Sequence, residues 1–198
     1  METIDAQQEL VFIKKIMTDS RKSAICNGKA FILWGILVTI GLLVTYFSII
    51  NHNLSVMNWL WPSLIGLGWI ITIVMESKAA IKSRTKTFAA KILAYVWIGS
   101  GIAMTIIGFV GSVSGAFSGL YINPLISNIL AVGFLITGVL YGKTWVSLIS
   151  LGWWVGAIVM FLWTGLYTFL LMSAMMILFL VIPGVFMFKQ YKKELIAE

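Results

Sequence analysis

The chain has 198 residues, of which 60% are hydrophobic and 11% are charged, and its formal net charge is +7. Ordinary globular chains carry about 25% charged residues, and a soluble domain of this length has too little interior to hide so much apolar surface. The composition therefore excludes a soluble globular domain and predicts an all-α integral membrane protein. A single cysteine, Cys26, and a single histidine, His52, exclude an intrachain disulfide and any metal or haem site built from several such side chains.

Residues 1–29 are predicted to form a cytoplasmic amphipathic helix ahead of the membrane domain. At 100° per residue, its apolar side chains gather on one side and its basic side chains on the other. The expected interaction surface consists of Leu10, Ile13, Met17, Lys14, Lys15 and Arg21. This pattern is typical of a helix that lies along an anionic leaflet. The apolar positions also fit a heptad stripe, which leaves docking onto a protein partner or a second subunit open.

The membrane domain, residues 30–190, contains six apolar stretches of about the 20 residues that one membrane crossing needs. The stretches cover residues 31–50, 57–75, 92–113, 124–142, 146–163 and 166–188, and residues 191–198 form a cytoplasmic tail. Only Thr164 and Gly165 separate the last two stretches, which requires a tight turn. We therefore predict six transmembrane helices arranged as three hairpins.

The charges predict how these spans are oriented. All 14 basic and all 7 acidic residues lie before the first span, at or in the connections that follow the even spans, or after the sixth. Cytoplasmic loops carry the Lys and Arg of membrane proteins, so both termini should be cytoplasmic. We expect the protein in a cell membrane, namely the cytoplasmic membrane of a prokaryote.

The three odd spans share tryptophan and glycine near their starts. The shared positions are Trp34 with Gly35, Trp97 with Gly99, and Trp153 and Trp154 with Gly156. A threefold repeat and coincidence both account for them. The pattern resembles that of the six-helix acid-resistance family of small bacterial membrane proteins, and the likeness assigns no residue a role.

Uncharged polar and aromatic residues at the outer end form the candidate ligand site. Its members are Asn58, Trp59, Trp61, Tyr121 and Asn128. Aromatic residues at this level also form the ordinary interfacial belt of membrane proteins. The alternative is an outward-facing pocket for a neutral or cationic small molecule. For Asn128, a hydrogen bond to another helix is the competing interpretation.

Two pairs of glycines have the four-residue spacing that lets helix backbones approach closely. They are Gly138 with Gly142, and Gly152 with Gly156. Packing within one subunit and a seam between two subunits both fit this spacing.

The sequence predicts no catalytic residue, metal site or cofactor. It contains no HExxH, G-x-S-x-G or P-loop motif. Ionisable side chains are absent from the middle of the spans, which argues against a proton relay. We expect a non-enzymatic sensing, regulatory or scaffold module whose partners are the lipid bilayer and a protein partner or second copy, and not nucleic acid. The alternative is a carrier or pore for a small neutral solute that does not use a carboxylate-coupled ion.

Overall fold

The computed structural model of the protein describes residues 28–82 and 88–197. All regular elements in these two ranges are helical, and six helices are long and apolar enough to cross a membrane. The predicted all-α fold with six apolar spans is confirmed at this level. The predicted amphipathic helix of residues 1–29 lies almost entirely outside the described residues.

The helices, numbered in chain order, have the following bounds. They are α1 Lys29–Ile50, α2 Met57–Lys82, α3 Phe88–Thr105 continued by a π turn Ile106–Gly111, α4 Ile122–Tyr141, α5 Thr144–Leu162, and α6 Tyr167–Met176 continued by a π turn Ile177–Val181 and by Ile182–Ala197.

Helices α2, α3 and α6 reach beyond the apolar stretches that predicted them. Helix α2 continues to Lys82, α3 already begins at Phe88, and α6 continues to Ala197. Hydropathy reports the length of chain that suits hydrocarbon, whereas a helix ends where its backbone hydrogen bonds end. Lysine and glutamate are good helix formers in water, so the charged flanks extend the helices.

The helices touch in the order α2, α1, α6, α5, α4, α3. The most extensive contacts join α4 to α5 and α1 to α6, rather than the two members of each predicted hairpin. Contact between α2 and α3 is sparse over the described residues. In addition, only 6% of the apolar window of either α2 or α3 is buried, so these two helices are the least covered by the rest of the protein.

The interior is built from aromatic rings and methionines. Phe31 of α1 contacts both Trp97 of α3 and Phe134 of α4, with ring centroids 5.0 and 5.3 Å apart. Phe134 stacks on Trp153 of α5, which in turn meets Phe179 of α6 edge to face. These rings tie five of the six helices together across the bundle.

Glycines set the closest helix approaches. Gly28, at φ +64°, immediately precedes α1 and lies against the backbone of Gly184 in α6, so closely that a Cβ would collide with the Gly184 carbonyl oxygen. Gly138 of α4 lies equally close to the backbone of Ser147 in α5. Side chains larger than hydrogen do not fit at these two contacts.

The π turn of α6 has a cause in the sequence. Pro183 has no N–H to donate to the carbonyl of Phe179, and its ring would crowd that carbonyl in a regular helix. The π turn Ile177–Val181 ends two positions before this proline and accommodates the interruption.

Candidate functional site

The indole rings of three tryptophans contact a neighbouring helix in the same way. Each indole lies over a glycine, and its Nε1 donates to the hydroxyl of the threonine one turn further along. The sets are Trp34 with Gly68 and Thr72 at 3.0 Å, Trp61 with Gly41 and Thr45 at 3.0 Å, and Trp97 with Gly133 and Thr137 at 3.1 Å. We call each set a tryptophan clamp.

The chemistry of the clamp explains its three residue types. A Cβ on Gly68 would lie 2.7 Å from the Trp34 ring, so glycine makes room for the indole. The Thr72 hydroxyl donates its own proton to the Gly68 carbonyl at 2.7 Å, which leaves its oxygen free to accept the indole N–H. Hydrocarbon offers no competing water, so these bonds satisfy the polar atoms inside the bundle. The clamps hold α1 against α2 and α3 against α4.

The clamps also fix the direction of the helices. Trp34 and Thr72 pair the beginning of α1 with the second half of α2, and Thr45 and Trp61 pair the end of α1 with the beginning of α2. Helices α1 and α2 are therefore antiparallel.

The candidate ligand residues of α2 do not converge. Trp59 is 79% exposed, whereas Trp61 is engaged in its clamp with α1. They are two positions apart, and a helix turns about 200° over two residues, so they lie on nearly opposite faces. Asn58 is exposed.

The other two candidate residues also have contacts elsewhere. Tyr121 stacks on Phe161 of α5, with ring centroids 6.3 Å apart. The amide of Asn128 donates to the carbonyl of Pro124 in its own helix at 2.9 Å, rather than to a second helix. A ligand role for the five residues stays a prediction, and no shared pocket wall arises from these contacts.

Three of the four packing glycines lie between helices of the same chain. Gly138 faces Ser147, Gly152 faces Phe179, and Gly156 faces the side chain of Met175. Gly142 has a different position: it ends α4 with φ +62° and leads into the turn before α5. A left-handed residue at this point of a helix is commonly glycine, which explains it without helix packing.

Two buried polar groups have no hydrogen-bond partner among the described residues. They are the amide nitrogen of Asn123, whose residue is 4% exposed, and the indole nitrogen of Trp153, which is completely buried. The apolar surroundings of Trp153, between Phe134 and Phe179, explain why no acceptor is near.

The described charges gather at one end of the bundle. The Lys143 ammonium, in the turn between α4 and α5, donates to Gln190 near the end of α6, and the Lys29 ammonium lies 5.5 Å from the centre of the Phe188 ring. Because α1 and α2 are antiparallel, Lys78 of α2 belongs to this end as well. No group of three His, Cys, Asp or Glu side chains that could hold a metal ion occurs within residues 28–82 and 88–197.

Comparison with known protein families, with curated proteins and with solved structures finds no match for this chain.

Proposed function

We propose that the protein is a non-enzymatic module of the cytoplasmic membrane that senses, regulates or scaffolds through contacts with a partner. Both termini lie in the cytoplasm in this proposal. The chain forms three hairpins between them, and the helix of residues 1–29 provides the contact surface with lipid or with a partner.

The observation that carries the proposal is how the buried hydroxyl groups are used. A carrier or pore for polar solutes needs groups along its path that exchange hydrogen bonds with the solute. Seven of the eight buried serine and threonine hydroxyls in the described residues, all except that of Ser48, donate instead to backbone carbonyls. They belong to Thr39, Thr45, Ser127, Thr137, Ser150, Thr168 and Ser173.

The apolar side chains of the interior support the same proposal. Leu130, Phe134, Trp153, Met160 and Met172 are at most 3% exposed and fill the space between the helices. Asp, Glu, Lys, Arg and His side chains are absent from the buried residues in the described part of the chain. In a tightly packed apolar bundle, a shift of one helix moves its neighbours. Such an interior provides few hydrogen-bonding groups for a polar solute.

The gathering of the described charges at one end supports the proposed orientation. Moving lysine side chains across the membrane is costly, so an end that carries several of them stays on the cytoplasmic side.

Solute flux tests the proposal. Purified protein in liposomes should leave the entry rates of glycerol and urea, and the decay of a proton gradient, equal to those of protein-free liposomes. Saturable entry that is lost in Asn128→Leu but kept in Asn51→Leu, with both variants folded, would overturn the proposal and favour the carrier. Asn51→Leu is the matched control because its amide, like that of Asn128, donates to the carbonyl four residues earlier, and Asn51 lies outside the candidate ligand site.

A further inference from the structure

Helices α2, α4 and α6 contain the same sequence motif, Ile-x-x-Val-x-x-x-Lys. Its copies are Ile71, Val74 and Lys78 in α2, Ile136, Val139 and Lys143 in α4, and Ile182, Val185 and Lys189 in α6. The ring two positions before the isoleucine, Trp69 in α2 and Phe134 in α4, meets the clamp tryptophan of its hairpin edge to face, with centroids 5.8 and 5.7 Å apart. The clamp threonines Thr72 and Thr137 directly follow the isoleucine. The first two hairpins are therefore built alike, and the motif extends to the third.

Two contacts between neighbouring hairpins are closed by glycine. Two positions after the isoleucine of the motif, α4 has Gly138 and α6 has Gly184. Gly138 lies against the backbone of Ser147 in α5, and Gly184 lies against Gly28, which precedes α1. Ser147 and Gly28 also correspond to each other, because each lies six residues before a tryptophan that the odd spans share. These glycine contacts belong to the two most extensive helix contacts of the described ranges.

The contact between α2 and α3 has different residues at both positions. Ile73 of α2 stands in place of the glycine. Lys91, six residues before Trp97 in α3, stands in place of the serine or glycine that meets it. Because these side chains keep the two backbones apart, Ile73 is 62% exposed and the contact between α2 and α3 is sparse. We call this opening between α2 and α3 the open seam.

The open seam has an apolar surface and ends near the connection between its two helices. Only residues 83–87 connect α2 to α3, so the end of α2 and the beginning of α3 lie within about 20 Å of each other. At the other limit of the seam, Trp69 lies over Gly101, and these two residues are equally far from the connection. Between these limits, the exposed side chains of Ile73 and Ile98 provide apolar surface on α2 and on α3.

Opposite charges stand on the two walls of the open seam. Glu76 follows Trp69 by two helical turns and so lies on the same face of α2. At the corresponding position α4 has Tyr141 and α6 has Met187, both buried, whereas Glu76 is exposed. Lys91 provides the positive charge on α3. Neither Glu76 nor Lys91 has a hydrogen bond or an ion pair among the described residues.

A carboxylate and an ammonium on opposite walls match a headgroup that carries both charges. We propose that the open seam binds one molecule of phosphatidylethanolamine. The lipid ammonium donates to the Glu76 carboxylate, the lipid phosphate accepts from the Lys91 ammonium, and the acyl chains cover Ile73 and Ile98. An anionic headgroup would leave the negative charge of Glu76 uncompensated, and a choline headgroup has no N–H to donate. Helix α3 keeps its clamp with α4 and its ring contact with α1 when the lipid is bound.

Native mass spectrometry of the full-length protein, released from detergent micelles that contain added dioleoyl lipids, tests the site. We expect one phosphatidylethanolamine per chain, bound about tenfold more tightly than phosphatidylcholine or phosphatidylglycerol, because one hydrogen bond between charged groups accounts for a factor of this size. Glu76→Gln should reduce the affinity for phosphatidylethanolamine to that for phosphatidylcholine. Lys91→Gln should weaken the binding of all three lipids, because each of them has a phosphate. Ile73→Trp keeps both charges but fills the opening, so it should also weaken all three.

Lys78→Gln is the matched control, because Lys78 lies at the same end but about 200° around α2 from Glu76, and it should change none of the affinities. Glu76, Lys78 and Lys91 are exposed, so their replacement leaves the fold intact, which circular dichroism checks. Equal affinities for phosphatidylethanolamine and phosphatidylcholine, or a preference that survives Glu76→Gln, would overturn the site. Equal losses in Lys78→Gln and Lys91→Gln would overturn it as well, since any lysine near the headgroups would then suffice.

Discussion

Replacing Thr137 by valine keeps the shape of a fully buried side chain and removes the hydroxyl that closes a tryptophan clamp. Two hydrogen bonds disappear. The bond from the hydroxyl to the Gly133 carbonyl matters little, because that carbonyl keeps its regular helical donor. The bond from the Trp97 indole, 3.1 Å long, is the important loss, since it leaves an N–H in hydrocarbon without an acceptor.

The size of the effect follows from the place of this bond. An unsatisfied buried donor costs about 1–3 kcal/mol in water-soluble proteins. Hydrogen bonds between membrane helices average about 0.6 kcal/mol and reach about 1.7 kcal/mol, because unfolded helices in the membrane also find partners. Trp97 is half-buried, so we expect Thr137→Val to lower the free energy of unfolding by about 1 kcal/mol. This free energy can be measured by titrating the protein in mixed micelles with sodium dodecyl sulfate and recording the loss of helix by circular dichroism.

Thr105→Val is the matched control, because Thr105 has the same bond to a glycine carbonyl but accepts no indole N–H from the described residues. Its free energy of unfolding should stay within about 0.3 kcal/mol of that of the unchanged protein. Equal losses in the two variants would show that the indole bond contributes nothing and would refute the reasoning. In a double-mutant cycle, Trp97→Phe combined with Thr137→Val should give a coupling energy of about 0.6–1.7 kcal/mol.

Three further outcomes are expected. In a cysteine-free background, cysteines placed at Ser55 and Ser118 should react with impermeant reagents added outside intact cells, and a cysteine at Thr144 should not; the reverse result would contradict the proposed orientation. Gly142→Ala should lower the free energy of unfolding by about 1–2 kcal/mol in the same micelle titration, because its φ of +62° is costly for a residue with a Cβ. A peptide of residues 1–27 should gain helicity on anionic vesicles and much less on neutral ones, with the difference shrinking as salt rises, because its basic side chains are attracted to anionic headgroups. Equal helicity on anionic and neutral vesicles would instead favour a helix that docks onto a protein partner.

The spans were predictable from the sequence because whether a segment can cross a membrane depends only on its own length and hydropathy. About 20 apolar residues suffice for a crossing, and each of the six stretches supplies them without reference to the others. The helix ends at Lys82 and Ala197 were not predictable in this way, since hydropathy falls at the first charged residues while the backbone stays helical.

The contacts across helices were much less predictable. Trp59 and Trp61 are equivalent in composition and nearly adjacent, yet one faces outward and the other closes a clamp. The Gly-x-x-x-Thr pattern is visible in the sequence, but the tryptophan that meets Thr137 precedes it by 40 residues. Which tryptophan contacts Thr137 depends on how α3 and α4 align. That alignment depends on the turns and on the packing of the other four helices.

The contact of Gly28 with Gly184 has a mechanical consequence. Backbone meets backbone there, with no side chain between them to bend or change rotamer, so the contact is stiff. The contact fixes the start of α1 to the part of α6 that directly follows Pro183 and the π turn. Any change in the bend of α6 at that turn therefore has to move the start of α1 with it.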